Sequence, residues 1–217
     1  MNKSTYHILD LFCGCGGMSL GFERAGYDVL LGIDVWKDAL ATYAYNHKKS
    51  MALCADLASL NPVDVDEKIG GKHIDVIIGG PPCQSFSTVG QRVYDEKALL
   101  YEEYLRILRI ARPKMFLFEN VKGILSMRET FYQRDEAGNV VYETTKNKET
   151  GFERKKPVIS GYGRKVMDII TEKFANIDDR LGYTISKEVL NAVDFGVPEN
   201  RERVFIVGIR NDLNINW

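Results

Sequence analysis

The chain is 217 residues long, 45% hydrophobic and 27% charged, with a net charge of −1. That length suits one α/β domain, or one domain with a modest excursion, and leaves little room for two. The near-neutral balance excludes a strong nonspecific nucleic-acid binder acting by itself; no apolar run approaches a membrane span and no signal-peptide core precedes the first strand, so a cytoplasmic protein is expected.

The apolar run Tyr6 to Phe12 predicts a first strand that enters the turn Cys13-Gly14-Cys15-Gly16-Gly17 and then a helix. Strand, glycine-rich turn and helix open a nucleotide-binding sheet, because a ligand there lies against bare backbone at a helix start. A second strand, Asp28 to Asp34, ends in an acid about twenty residues beyond the turn, where such folds place an acceptor for ribose hydroxyls; Asp34 is read either so or as a cap for the helix Lys37 to Asn46. A third strand, Met51 to Ala55, is followed by Asp56, read as an acceptor for an adenine amino group or as a plain cap.

The run Ile74 to Ile78 predicts a buried strand stopped by Gly79-Gly80-Pro81-Pro82, which carries Cys83 on a stiff loop just past the strand end. Cys83 is read as a nucleophile or as a small buried hydrophobe. Leu99 to Ala111 predicts an amphipathic helix, and the strand Met115 to Phe118 runs into Glu119-Asn120-Val121. A carboxyl at the edge of so apolar a strand holds its proton more tightly when buried, as a general acid requires; an exposed loop Glu is the alternative. From Arg128 to Ile159 the pattern turns polar, with a hairpin expected around Ala137-Gly138-Asn139, so 128–159 is read as a surface excursion and Gly161-Tyr162-Gly163 as the return to the core. A helix through Val166, Ile169, Ile170 and Phe174 and two strands, Thr184 to Asn191 and Arg203 to Arg210, complete the chain. Arg154-Lys155-Lys156 and Arg201-Glu202-Arg203 are its local basic clusters. The four cysteines match neither a zinc spacing nor a disulfide framework, so free thiols and no metal are expected.

In order and spacing the chain resembles the C5-cytosine DNA methyltransferases. Asp10-Leu11-Phe12-Cys13-Gly14-Cys15-Gly16-Gly17 is similar to their first cofactor motif, Gly80-Pro81-Pro82-Cys83-Gln84-Ser85-Phe86-Ser87 to their nucleophile motif, Glu119-Asn120-Val121 to their acid motif, and Leu190 to Pro198 with Arg201-Glu202-Arg203 to their late arginine motif. The resemblance implies a Rossmann-like, S-adenosylmethionine-dependent methyltransferase fold spanning 1–217: a mostly parallel sheet of about seven strands, one of them antiparallel, with helices on both faces. It implies S-adenosylmethionine as cofactor. Phe12, Gly14, Gly16 and Gly17 would line its methionine and ribose part, Asp34 the ribose hydroxyls, and Val35 the adenine face, with Trp36 as the alternative. Asp56 and Leu57 would meet the adenine edge, and Pro81 and Leu100 would form the remaining wall.

It further implies that Cys83 adds to carbon 6 of a cytosine flipped out of double-stranded DNA, that Glu119 serves the N3 edge, and that Arg203 with Arg201 holds the base carbonyl or the flanking phosphate. Cys13 stands where Ala is usual, Asp34 where Glu is, and Glu199 where Gln is. The family's target-recognition region and closing motifs are not in this sequence. The expectation is therefore a truncated enzyme, a subunit completed by a second chain, or a silent remnant. A tRNA substrate, or a binding module without turnover, are the alternative functions.

Overall fold

The computed structural model describes residues 6–82, 100–146, 151–177 and 182–215. In β1 (His7–Leu11) the side chains alternate across the sheet. Ile8 packs with Val29, Val76 and Ile78 beneath Met18 and Phe22 of α1 (Gly17–Arg24), whereas Leu9 and Leu11 join the larger core on the opposite face. That second core is closed by α3 (Pro62–Ile69), α4 (Leu100–Ala111) and α5 (Val166–Ala175), through Val65, Tyr104, Leu108, Ile170 and Phe174 among others. Tyr43 of α2 (Lys37–Asn46) lies against Gly32 on the α1 side, where a Cβ would strike its ring. Helices thus cover both faces, as the resemblance implies.

β2 (Asp28–Asp34), β3 (Met51–Cys54), β4 (Val76–Gly79), β5 (Met115–Val121), β10 (Tyr183–Asn191) and β11 (Glu202–Arg210) join β1 in a seven-stranded sheet ordered β10-β11-β5-β4-β1-β2-β3. Neighbouring pairs from β3 across to β5 are parallel, and β11 alone runs antiparallel to both its neighbours. The order reverses between β1 and β4. Ligand crevices of open α/β sheets form at such a point, outside the carboxyl ends of the strands.

The polar excursion differs from expectation in its pairing. β6 (Arg128–Tyr132) pairs with β9 (Ile159–Lys165), and β7 (Tyr142–Lys146) with β8 (Glu153–Pro157), so the chain forms two successive antiparallel ribbons. The expected turn is present: Asp135 accepts from the N–H groups of Ala137 and Asn139. The return is later than expected, because Gly161 and Gly163 lie inside β9, where a Cβ at Gly163 would meet Glu129 Oε2 at 2.6 Å and Phe131 Cζ at 3.1 Å. Glycine there makes room for side chains from the facing strand. The core resumes at Val166, whose N–H donates to Met127 O at 3.0 Å.

Two glycine substitutions separate steric need from mere tolerance. Gly208 lies opposite Phe116 in the β11–β5 register, and a Cβ there would collide with that fully buried ring. Gly208→Ala is expected to lower the urea midpoint by about 1–3 kcal/mol in stability, whereas Gly21→Ala, in α1 with open space around it, should raise it by roughly 0.5–1 kcal/mol.

Candidate active site

The turn after β1 needs left-handed backbone at Phe12, Gly14 and Gly16, with φ of 58°, 53° and 91°. It is tied to β2 at two points: Cys13 N donates to Ile33 O at 3.0 Å, and Gly14 N to Asp34 Oδ2 at 2.9 Å. The other oxygen of Asp34 accepts from Trp36 N at 2.9 Å. Trp36, not Asp34, is the N-cap residue of α2. Asp34 is a brace between two strand ends. The glycines differ in what requires them: a Cβ on Gly16 would run into His47 and Tyr43, so that glycine admits the end of α2, while Cβ atoms on Gly14 and Gly17 would meet nothing within 4 Å. Open space over Gly14 and Gly17, at the start of α1, is a cradle that side chains would fill.

The other predicted cofactor residues follow at the same edge of the sheet. Val35 and Trp36, beyond β2, are 62% and 64% exposed. Asp56, beyond β3, is exposed and accepts from Ala58 N at 3.0 Å, which is the cap geometry, with its second oxygen free of protein partners among the described residues. Leu57 is only 2% exposed; its side chain belongs to the core, and its carbonyl accepts from Arg106 at 2.6 Å. Pro81, beyond β4, is buried, and Leu100 is half-buried at the first turn of α4. Cys83, with Gln84 to Ser87 of its motif, lies outside the described residues. Among the described residues no cluster of His, Cys, Asp and Glu could hold a metal, and no helix is long and apolar enough to cross a membrane.

Glu119 belongs to β5 itself and not to a loop after it. It shares the α1 face of the sheet with Met115 and Leu117, while Phe116, Phe118 and Asn120 turn to the opposite core. In the antiparallel register Phe205 faces Glu119 and Arg203 faces Val121, which brings Arg203 Nε to 3.0 Å from Glu119 Oε1, the two side chains being 22% and 23% exposed. A Cβ on Gly80 would sit 2.8 Å from Glu119 Oε2, so glycine is what lets the end of β4 pass beside this carboxyl. Burial pushes the Glu119 carboxyl up from its ordinary value, and the guanidiniums of Arg203 and Arg201 only partly offset it. Arg201 stands farther out, its Nη1 3.6 Å from Glu199 Oε1. Glu199, the acid that stands where Gln is usual, is therefore an ion-pair partner of that arginine. Arg201 and Arg203 line, with Val121 and Lys122, a cleft of about 550 Å³.

Asn191, to which no separate role is assigned on sequence grounds, braces the loop before β11. Its Oδ1 accepts from Arg201 N at 3.0 Å and its Nδ2 donates to Asn200 Oδ1 at 2.8 Å, so it holds the loop that delivers both arginines. The signal was local: an Asn ending a strand ten residues before the arginine, as side-chain caps of loops do. Because Arg203 lowers the proton affinity of Glu119, removing it must raise it. In an NMR titration of the Glu119 side-chain carboxyl, Arg203→Ala is expected to move the midpoint upward from a wild-type value that burial has already raised above the ordinary one.

Residues 6–153 and 153–217 match the family model described as C-5 cytosine-specific DNA methylase. The Type II methyltransferase M.DdeI of Desulfomicrobium norvegicum is 38% identical over 213 residues, covering 97% of this chain and 42% of that protein. The Type II methyltransferase M.AquIA of Picosynechococcus sp. is 34% identical over 212 residues, covering 94% of this chain and 71% of that protein. A prophage-encoded E. coli chain described as a DNA modification methyltransferase superposes with a TM-score of 0.70 at 28% identity, covering 98% of this chain and 49% of its own. The chain spans about half the length of most curated relatives it matches. A glycine turn braced by Asp34 and a Glu–Arg pair across β5 and β11 thus accompany a family match that runs from residue 6 to residue 217, and this chain belongs to the C-5 cytosine-specific DNA methylase family.

Proposed function

We propose that the protein transfers a methyl group from S-adenosylmethionine to carbon 5 of cytosine in DNA, through a covalent Cys83 adduct on a flipped base. The observation that carries this reading is the Glu119–Arg203 pair at the carboxyl edge of the sheet, beside the glycine that leads into the Cys83 loop. When bound, S-adenosylmethionine supplies an electrophilic methyl group. The open space over Gly14 and Gly17 fits a ligand lying on backbone, and the braced carboxylate of Asp34 keeps acceptor capacity for hydroxyls. Phe12 and Gly16 shape that turn; exposed Val35, with Trp36 beside it, offers an apolar face for a purine; Asp56 has an acceptor to spare, with Leu57 supporting it from the core. Pro81 and Leu100 close the wall toward β4 and α4.

Carbon 5 of cytosine is a weak nucleophile until a thiolate adds to carbon 6. Cys83 supplies that thiolate. The ring then gathers negative charge, which Glu119 relieves at N3 by donating or sharing a proton, and a carboxyl with a raised proton affinity is suited to that task. Arg203 orients Glu119 and adds positive charge at the same place, and Arg201 reaches toward the base carbonyl or a phosphate from the cleft rim. A base in a duplex cannot reach such a pocket, so the target is rotated out of the stack.

Duplexes carrying 5-fluorocytosine in many sequence contexts test this directly, since the fluorine blocks release of the adduct. With S-adenosylmethionine present, a denaturing gel and mass spectrometry should show a covalent complex at Cys83, absent in Cys83→Ser and formed roughly 10²- to 10⁴-fold more slowly in Glu119→Gln. Cofactor binding without any adduct would contradict the proposal.

A further inference from the structure

Asp10 is fully buried in β1, two residues before Phe12, and plays no part in the chemistry above. Ser19 Oγ donates to its Oδ2 at 2.6 Å, while among the described residues its Oδ1 has no hydrogen-bond partner. Ser19 Oγ lies 3.2 Å from Tyr43 Oη, which lies 2.8 Å from Ser50 Oγ. A row of hydroxyls therefore joins the buried carboxyl to Ser50, which is only partly buried. The ionisable groups facing Asp10 are Tyr43 from α2, Asp34 from the end of β2, Cys13 from the turn, and Tyr104 from α4 across the sheet. Behind Tyr43, His47 is occupied by Glu23 at 2.9 Å. Among the described residues no cation pairs with Asp10.

An ionised carboxylate with one bare oxygen and an acid for a neighbour is costly in such a place. Burial first, then the nearby Asp34 charge, push the Asp10 carboxyl up to about 7, against the pull of the Ser19 hydrogen bonds. Near neutral pH its charge is therefore set by whatever else enters the site.

We propose that Asp10 couples cofactor binding to the loss of one proton, becoming a carboxylate when a cationic ligand settles over the glycine turn, and thereby favours the sulfonium donor over the neutral thioether left after methyl transfer. This rests on the S-adenosylmethionine reading above. In the protonated form the Asp10 O–H donates to Ser19 Oγ; that O–H bond breaks, Ser19, Tyr43 and Ser50 each accept one proton and pass one on, a single proton reaches water, and Ser19 is left donating to the carboxylate as described above. Asp10 is a positioning residue in this account, since it acts on the ligand through its field and not by contact. The sign follows from linkage: below the free carboxyl's midpoint a proton must be expelled for the favourable charge to form, so affinity for the cation rises with pH.

S-adenosylmethionine and S-adenosylhomocysteine carry the same amino and carboxyl groups, so the ratio of their affinities isolates the sulfonium. Isothermal titration calorimetry of the full chain should show preference for S-adenosylmethionine growing roughly twofold to fivefold between about pH 6 and about pH 8, as half to one unit of mutual stabilisation produces around a midpoint near 7. Paired buffers of different ionisation heat should record fractional proton release that is larger for the sulfonium ligand. Asp10→Asn should flatten the ratio, and Ser19→Ala, which removes a bond favouring the carboxylate, should shift the change to higher pH. A wild-type ratio that stays constant with pH, or one whose slope survives in Asp10→Asn, overturns the inference while leaving cofactor binding intact. Failure of both ligands to bind at any pH overturns the cofactor reading and this inference together.

Discussion

The contact between Glu119 and Arg203 can form only because β11 enters the sheet against the direction of β5. A parallel strand in that place would bring a different end of the chain beside Glu119, whereas the antiparallel register sets Arg203 opposite Val121, on the same face and one diagonal step from the carboxyl. The apolar alternation of Val204, Ile206 and Gly208 toward the core holds that register, because a one-residue slip would expose all three and bury Arg203 and Phe205. Packing on one face of a strand thus sets the chemistry on the other. Asn191 completes the arrangement by holding the loop from which the arginines arise.

The other half of the site depends on Asp34 in a comparable way. Its two oxygens accept from amides in separate segments, so the glycine turn and the start of α2 are fixed relative to the end of β2. Asp34, at the end of β2, and Glu119, in β5, lie on either side of the point where the strand order reverses between β1 and β4. A buried polar group is tolerated at this edge when it is braced, as Asp34 is, or paired, as Glu119 is. Asp10 differs from both, because among the described residues its Oδ1 has no hydrogen-bond partner.

Most of the sheet was legible in the sequence because its strands are apolar runs ended by glycine, proline or acid. β2 and α2 begin and end where their patterns predict, whereas β1 and β3 are each trimmed at their ends. The α3 helix went unread although its signals are local: Asn61 accepts from Val63 N, Pro62 opens the helix, and Gly70 ends it in the left-handed region. The pairing of the excursion was not legible for a physical reason. Its strands β6, β7 and β9 hold no buried position, so no buried stripe specifies the register, and the glycines that mark loops elsewhere serve here to admit Glu129 and Phe131. The motifs named the residues proposed for the site, but not what each does in the fold: Gly16 accommodates His47, Leu57 faces the core, and Asp34 braces a turn, none of which spacing reveals.

The position of the transferred methyl group is the most direct test of the account. Duplex DNA of mixed sequence would be incubated with the protein and methyl-labelled S-adenosylmethionine, digested to nucleosides, and resolved by mass spectrometry. The proposed route through a Cys83 adduct predicts label in 5-methylcytosine alone, and none with Cys83→Ala. Label on an exocyclic nitrogen of cytosine or adenine, or label in 5-methylcytosine that survives Cys83→Ala, would contradict it.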